Sequence, residues 1–523
     1  MSEQNGFELP HSWAWTTIGE IVESLIEQGT PVGRDEFLYV DISSINNKTK
    51  RIVEPKTLPA SEAPSRAKQH LKPHDVVVSM TRPNLNAVAM LPQEMRDAIG
   101  STGFCVLRAI EVVPSMLFYF VQTESFISAM SLLVQGALYP AVRPKDILSC
   151  KVPVPPLNEQ RRIVAKIEEL FTKLDAGVEA LRTAREQLKR YRQAVLMAAV
   201  TGELTREWRE AQRGELEPAS ELLARILRER REKWEADQLS KMEAAGKTPK
   251  NDDWKSKYVE PAAPDSGKLP GLPEGWVWVS TEQLGEVSGG LTKNQKREKL
   301  SLKVPYLRVA NVYAGRLDLS EVKDIGVEKS EIERTLLATG DLLVVEGNGS
   351  IDQIGRVALW DGRIASCLHQ NHLIKVRFTP TQISEYVLLW LLSKEGRDFI
   401  TKAASSTSGL HTLSLSKVSG LPVPLTSLTE QQQIVSEVER LLSIADATER
   451  AIEESLRQAE RLRQSILKRA FEGRLVPQDP ADEPAAALLE RIRAERARKE
   501  EVRKKVGRAP RKGKRETQMT MLD

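Results

Sequence analysis

The chain has 523 residues, 41% of them hydrophobic and 28% charged, enough apolar material for about three domains and enough charge for long exposed helices beside packed cores. No apolar run is long enough to span a membrane, no apolar leader is expected because Trp13 and Trp15 already belong to a patterned block, and Cys105, Cys150 and Cys367 are too scattered for a disulfide framework, so a reducing cytoplasm is the expected setting. The formal charge of +4 hides a division: Arg503 to Arg515 holds eight basic residues and no acid, which leaves the rest of the chain about −4 and confines nucleic-acid contacts in the body to local basic clusters.

In chain order, residues 1–155 read as a mixed α/β (α+β) domain. It opens on Leu9-Pro10-x-x-Trp13-x-Trp15, and β-rich runs such as Asp75-Val76-Val77-Val78 alternate with turn clusters of Pro, Gly and Asn. The Asp75 run feeds a polar loop, Thr81-Arg82-Pro83-Asn84-Leu85-Asn86, and another loop, Gly136 to Lys145, precedes Pro153-Val154-Pro155. Residues 156–202 are a spacer helix, with Asn158 as its expected N-cap and Gly202 as its stop. Heptad spacing puts Ile167, Leu174, Leu181, Leu188 and Val195 at one core position, and Ile163, Leu170, Gly177, Ala184, Tyr191 and Ala198 at the other. Such a coiled-coil helix is roughly 65 Å long. Residues 203–271 hold a charged helix and then, from 246, a linker rich in Lys, Pro, Asp and Gly.

The pattern then starts again. Leu272-Pro273-x-x-Trp276-x-Trp278 repeats the opening block 263 residues on; Glu430-Gln431-x-x-Ile434-Val435 repeats Glu159-Gln160-x-x-Ile163-Val164 after 271; and Glu483-Pro484-Ala485 repeats Glu217-Pro218-Ala219 after 266. A period this long is a domain duplication, not a solenoid repeat. Two copies in one chain can build a pseudo-two-fold object, which suits double-stranded DNA as a target. The second α/β domain, 272–426, has Asp341-Leu342-Leu343-Val344-Val345 feeding Gly347-Asn348-Gly349-Ser350, and a hydroxyl-rich loop from Ser405 to Lys417. A second spacer helix, 427–473, has Thr429 as expected N-cap, Val438, Ala445, Ile452, Ala459 and Ile466 on one core line, and Ile434, Leu441, Thr448, Ser455 and Leu462 on the other. Its small members complement the large ones of the first helix, so the two are expected to pack together as a pair of antiparallel coiled-coil helices. A charged helix, 474–502, and a basic disordered tail, 503–523, follow.

The candidate sites weigh towards binding. The tryptophan pairs recur unchanged in two copies that otherwise diverge, which fits a structural strand better than base stacking. His70-x-x-x-His74 and Cys367-x-His369-x-x-His372 lack a partner set for zinc, so no metal is expected. No Asn-Pro-Pro-Tyr, nucleotide-binding glycine pattern or Walker loop is present, so no catalytic residue is assigned. Small and hydroxyl residues followed by Arg or Lys, as in the loops that end at Lys145 and Lys417, suit approach to a phosphate backbone.

The block Pro153-Val154-Pro155-Pro156-Leu157-Asn158-Glu159-Gln160-Arg161-Arg162-Ile163-Val164, its twin at 422–435, and Val304-Pro305-Tyr306-Leu307-Arg308-Val309-Ala310-Asn311-Val312 make the chain resemble the DNA-specificity subunit of type I restriction–modification enzymes over about residues 1–500. The resemblance implies two target-recognition domains reading the halves of a split site and two antiparallel helices setting the spacing. It implies two methyltransferase subunits that bind S-adenosylmethionine, restriction/translocase subunits that use ATP and Mg, and no cofactor or catalytic residue in the specificity chain. The connector 205–271 and the basic tail depart from the family as extensions. A helix of roughly 65 Å spans about 19 base pairs at 3.4 Å each. From loop position and chemistry, Arg82, Asn84, Asn86, Arg143 and Lys145 are the expected DNA contacts of the first domain, and Asn348, Ser350, Gln353, Asn371, His411 and Lys417 those of the second. A stand-alone DNA methyltransferase or nuclease is the competing reading.

Overall fold

The computed structural model describes residues 8–31, 35–134, 140–249, 251–407 and 410–507. The chain divides into two compact units, Met1–Arg182 with Glu453–Asp523, and Thr183–Ile452. The part of the expected basic tail beyond Gly507, and Gly136 to Tyr139 of the first domain's second loop, lie outside the described residues.

In the first unit, the strand Ala14–Thr17 runs antiparallel to Lys151–Val154, so the domain's start is stitched to its end. The apolar run after Asp75 becomes the strand Val76–Ser79, central between Phe104–Leu107 and Val88–Met90. Alternation along this strand divides two cores. Val76 and Val78 join Ile18, Leu107, Met116 and Leu117 on one face, while Val77 joins Val40, Leu71 and Leu91 on the other. A strand covered on both faces needs an unbroken apolar run, which explains why the sequence does not alternate there. A second sheet orders Lys56–Pro59, Glu36–Val40, Ile99–Ser101 and Ala67–His70, with Glu36–Val40 and Ile99–Ser101 parallel.

The second unit repeats this frame. Val277–Ser280 pairs antiparallel with Pro422–Leu425. Leu342–Val345 lies between Leu373–Phe378 and Val357–Leu359, its residues again divided between two cores. Lys303–Leu307 runs parallel to Leu368–His369, as Glu36–Val40 does to Ile99–Ser101.

The aspartate before each central strand has a structural task. Asp75, 1% exposed, takes two hydrogen bonds from the Arg108 guanidinium at 2.8 and 2.7 Å and one from the Lys72 amide. Asp341, 2% exposed, takes the same set from Arg377 at 2.7 and 2.6 Å and from the Ala338 amide. A bidentate guanidinium compensates a carboxylate that burial alone would strongly destabilise.

The spacer helices are Leu157–Val200 and Leu428–Phe471. Within each unit, the early turns of one lie beside the late turns of the other, which makes them antiparallel. In the first unit, Ile163, Ile167 and Phe171 share a core with Ile466, Leu467 and Phe471, and Arg463 both pairs with Asp175 and covers the Phe171 ring. In the second, Val195, Leu196 and Ala199 meet Ile434, Val435 and Val438, and Arg192 pairs with Asp446 and Glu449. The expected seam is followed unevenly. Tyr191 is 41% and Leu462 48% exposed, and Gly177 and Thr448 face solvent. A strict seven-residue repeat drifts about 20° per heptad round an unsupercoiled helix, which turns part of one seam line outward. The N-caps also differ from expectation: both helices begin before Asn158 and Thr429, and the Ser427 hydroxyl accepts from the Glu430 amide.

Each charged helix packs on the domain of its own unit. In the first unit, Ala485–Gly507 docks on the opening block: the Ala485 amide donates to the Ser12 carbonyl at 2.8 Å, and Leu488, Leu489 and Ile492 enter the core. In the second, Ala219–Ala244 does the same through Ala219 to Gly275 at 3.1 Å, with Leu222 and Ile226 in the core. Gly202 and Gly473 end the spacer helices at φ +72° and +70°, where a Cβ would lie 2.7 Å from Pro273 and 2.4 Å from Pro10 respectively. The segment read as a linker is packed too. Trp254 stacks on Trp234 at 6.0 Å, and the Trp278 indole donates to the Pro270 carbonyl.

Candidate nucleic-acid interface

Both units deliver a pair of loops to the same place on the frame. In the first, the chain leaves Val76–Ser79 and is laced to the loop before the Pro-Val-Pro strand. Thr81 bridges Ala141, the Arg82 amide donates to the Pro140 carbonyl at 2.8 Å, and the Val142 amide donates to the Met80 carbonyl at 2.9 Å. In the second, Gly347–Asn348 pairs with Leu410–Thr412, with Asn348 opposite His411, and the Leu413 amide donates to the Glu346 carbonyl at 2.7 Å. The two loops nominated in each domain, far apart in sequence, are therefore adjacent.

Arg82 and Asn84 are exposed on a short turn, Pro83–Leu85, held between two left-handed residues, Arg82 at φ 50° and Asn86 at φ 46°. Asn86 is the exception among the first domain's candidates. It is 6% exposed; its amide donates to the Val121 carbonyl at 2.7 Å, and its side-chain oxygen accepts from Lys50 at 2.8 Å. It shapes the loop from inside. Burial pushes the Lys50 amine down to about 8. Arg143 and Lys145 are exposed at the start of the helix Pro144–Leu148, where Asp146 accepts from the Arg143 amide at 2.8 Å. That bond and the Arg143 side chain hold the Asp146 carboxyl below its usual range.

In the second domain, Ser350 and Gln353 are exposed on the turn that follows Gly347–Asn348, and the Gln353 amide donates to the Ser350 carbonyl at 3.0 Å. Asn371, half-buried, is tied by its amide to the Leu291 carbonyl at 3.0 Å. The neighbouring His372 accepts the Glu346 amide at its carbonyl and meets the Glu346 carboxylate at 2.8 Å through Nδ1, which brings the Asn371 turn beside the first loop. His411 and Lys417 are half-buried, and Lys417 lies in the short helix Leu415–Ser419, capped by Ser414.

The residues set aside as structural do structural work. Trp13 and Trp276 are buried and donate their indole N–H to Glu159 at 3.0 Å and to Glu430 at 2.9 Å, the glutamates of the two Glu-Gln blocks. His369 is fully buried with Nδ1 3.0 Å from the Thr335 carbonyl, and burial pushes its pKa down to about 4; burial likewise lifts the Cys367 thiol to about 12. Among the described residues, no group of three His, Cys, Asp or Glu side chains could hold a metal ion, and no helix is long and apolar enough to cross a membrane. Sequence reasoning missed Tyr313, Arg316, Arg356 and Arg397, which line an open cavity beside Gln353.

The family model for the type I restriction modification DNA specificity domain matches residues 10–183 and 273–458, one match over each copy. The chain belongs to this family: it is a DNA specificity subunit of a type I restriction–modification system, with two DNA-recognition domains. It is 27% identical over 517 residues to the type I restriction enzyme EcoKI specificity subunit of Escherichia coli (strain K12), covering 94% of this chain and 97% of that one. The fold is similar to that of the HsdS subunit from Thermoanaerobacter tengcongensis, at TM-score 0.54 and 24% identity over 91% of this chain and 100% of that one. A chain from a structure described as the basis of complex assembly and conformational transition of the type I R-M system gives TM-score 0.64 at 23% identity, over 90% of this chain and 100% of that one.

Proposed function

We propose that each recognition domain, 1–155 and 272–426, reads one half of a split site in double-stranded DNA, and that the two long helices set the spacing and dock two methyltransferase subunits. The observation that carries this reading is the laced loop pair, present at equivalent places in both domains with unlike side chains at its tips. Readers of different half-sites need matched frames and unmatched tips. Arg82, Asn84, Arg143 and Lys145 are the contacts of the first reader, with Asn86 holding its loop; Asn348, Ser350, Gln353, Asn371, His411 and Lys417 are those of the second. Carboxamide and guanidinium groups suit purine edges, and lysines suit phosphates. In this reading S-adenosylmethionine belongs to the methyltransferase partners, ATP and Mg to restriction/translocase partners, and the assembly works in the cytoplasm.

Selection from random duplexes by the chain assembled with its methyltransferase subunits should return a bipartite sequence. Replacing Ser350 and Gln353 by Ala should then relax one half-site by about 1–3 kcal/mol per lost base contact and leave the other unchanged. A preference altered in both halves, or in neither, would reject the assignment.

A further inference from the structure

The second recognition domain contains a cationic cavity of about 280 Å³, lined by Tyr313, Arg316, Gln353, Arg356, Leu392 and Arg397 among others. Four elements bring these residues together. Tyr313 and Arg316 sit on the hairpin Val312–Tyr313 and Arg316–Leu317, whose tip is tied down where the Gly315 amide donates to the Val357 carbonyl at 2.8 Å. Arg356 immediately precedes the strand Val357–Leu359. Arg397, on the helix Lys394–Ala403, reaches the Gly355 carbonyl at 2.8 Å. Leu392 belongs to the helix Ile383–Leu392.

The charge balance here is unusual for this domain. Elsewhere in the domain, Arg297 has Glu331 at 2.7 Å and Arg377 has Asp341 at 2.6 Å. Among the described side chains, neither Arg316 nor Arg356 pairs with a carboxylate, and none of the cavity's lining residues is acidic. Both guanidinium groups instead use one ring: Arg316 lies 4.5 Å and Arg356 5.3 Å from the Tyr313 centroid. Among the described residues, Arg356 makes long bonds, 3.4 Å to Gln353 and 3.3 Å to the Val309 carbonyl, and its buried Nε has no partner. Like charges crowded round one ring repel, and a bound anion relieves that repulsion. Planar guanidinium forks match a phosphate in particular.

We propose that Arg316 and Arg356, steered by Tyr313, clamp a backbone phosphate of DNA next to the bases that the Ser350–Gln353 turn reads. This deepens the recognition reading and rests on it for the identity of the ligand. A phosphate contact positions without reading sequence. Arg316→Ala, on the exposed hairpin, should therefore weaken the full chain's binding to the selected duplex and to an unrelated duplex by the same factor, about ten-fold, without changing the selected bases. The slope of log affinity against log salt should fall by about 0.9. Arg356→Lys, which keeps the charge and loses the fork and stacking, should weaken both duplexes by a smaller common factor.

The decisive measurement is a scan of duplexes with one phosphate at a time replaced by a neutral methylphosphonate. At one position, the replacement should weaken wild-type binding more than it weakens binding by Arg316→Ala, in which one of the guanidinium contacts is already gone. Unchanged affinity and slope in both variants would overturn the clamp, as would altered base preference at constant slope. Protection from unfolding by inorganic phosphate that Arg316→Ala abolishes, with DNA binding intact, would overturn it in favour of a free-anion site. If the wild-type chain selected no sequence, the recognition reading would fall, and the salt slope on unrelated duplex would still decide the clamp.

Discussion

Glu159 and Glu430 occupy the same place in the two units, and their surroundings differ. Each is 1% exposed and accepts an indole N–H, from Trp13 and Trp276 respectively. Glu159 adds one neutral donor, the Gln478 amide at 2.7 Å, and burial raises its pKa. Glu430 adds the Arg209 guanidinium at 2.6 Å and the hydroxyls of Thr205 and Thr426. A second contrast lies on the parallel strands. Leu307 faces His369 in one unit where Val40 faces Gly100 in the other, and beside Gly100 the Gln69 amide satisfies the Ser101 and Phe104 carbonyls. The lesson is that duplication preserved the backbone and the demand for satisfied buried groups, while the means of satisfying them drifted in each copy.

The largest test of that symmetry is the pair of buried aspartates. Asp75→Ala and Asp341→Ala should each destabilise their own unit by about 3–5 kcal/mol, because an arginine is left without its counter-charge. Asp75 should cost more, since Arg108 is 18% exposed and Arg377 36%. Calorimetric unfolding of the full chain would measure both: a large cost at one position and a small one at the other would break the equivalence, and equal costs would break the ranking by exposure.

Acidification should pull the two units apart. A carbonyl can only accept, so His369 Nδ1 carries the hydrogen, and Nε2, which has no hydrogen-bond partner among the described residues, is the unprotonated nitrogen. The folded pKa of about 4 lies below that of the unfolded chain, so the unfolded state binds the extra proton first. The second unit should therefore lose stability as pH falls from about 6.5 towards 4, by about 3 kcal/mol in total from this group. Glu159 acts with the opposite sign. Its folded pKa is raised, so its contribution is fullest below the unfolded value and is lost as pH rises through the folded one. Comparing melting at pH 7 and pH 5, His369→Gln should flatten the second unit's acid loss, and Glu159→Gln should remove the first unit's opposing trend.

The smallest expected effect sharpens the glutamate comparison. Trp13→Phe leaves Glu159 with one side-chain donor and should cost about 1–3 kcal/mol. Trp276→Phe leaves Glu430 its guanidinium and two hydroxyls and should cost about 0.5–1.5 kcal/mol. Denaturant midpoints that move equally would mean that the extra donors do not compensate.

Much of the frame was legible because it is local. The unbroken apolar runs after Asp75 and Asp341 announced strands buried on both faces, and the heptads and their closing glycines bounded the long helices to within a few residues. The candidate loops could be nominated from turn chemistry, but their lacing, Thr81 to Ala141 and Asn348 to His411, joins segments 60 or more residues apart. The inward turn of Asn86 has no local signal either, since a polar residue in a polar loop reads as exposed. The same holds for Trp254, which composition assigned to a linker and which packs against Trp234.

Periodicity and duplication follow from near-neighbour backbone geometry, so residue order alone establishes the strands, the helices, the doubling and the family. Which charged helix closes which domain, which aspartate meets which arginine, and which arginines gather round Tyr313 depend on contacts between distant segments. Those contacts form only where burial makes an unpaired polar or charged group too costly to leave, and that depends on the folded surroundings.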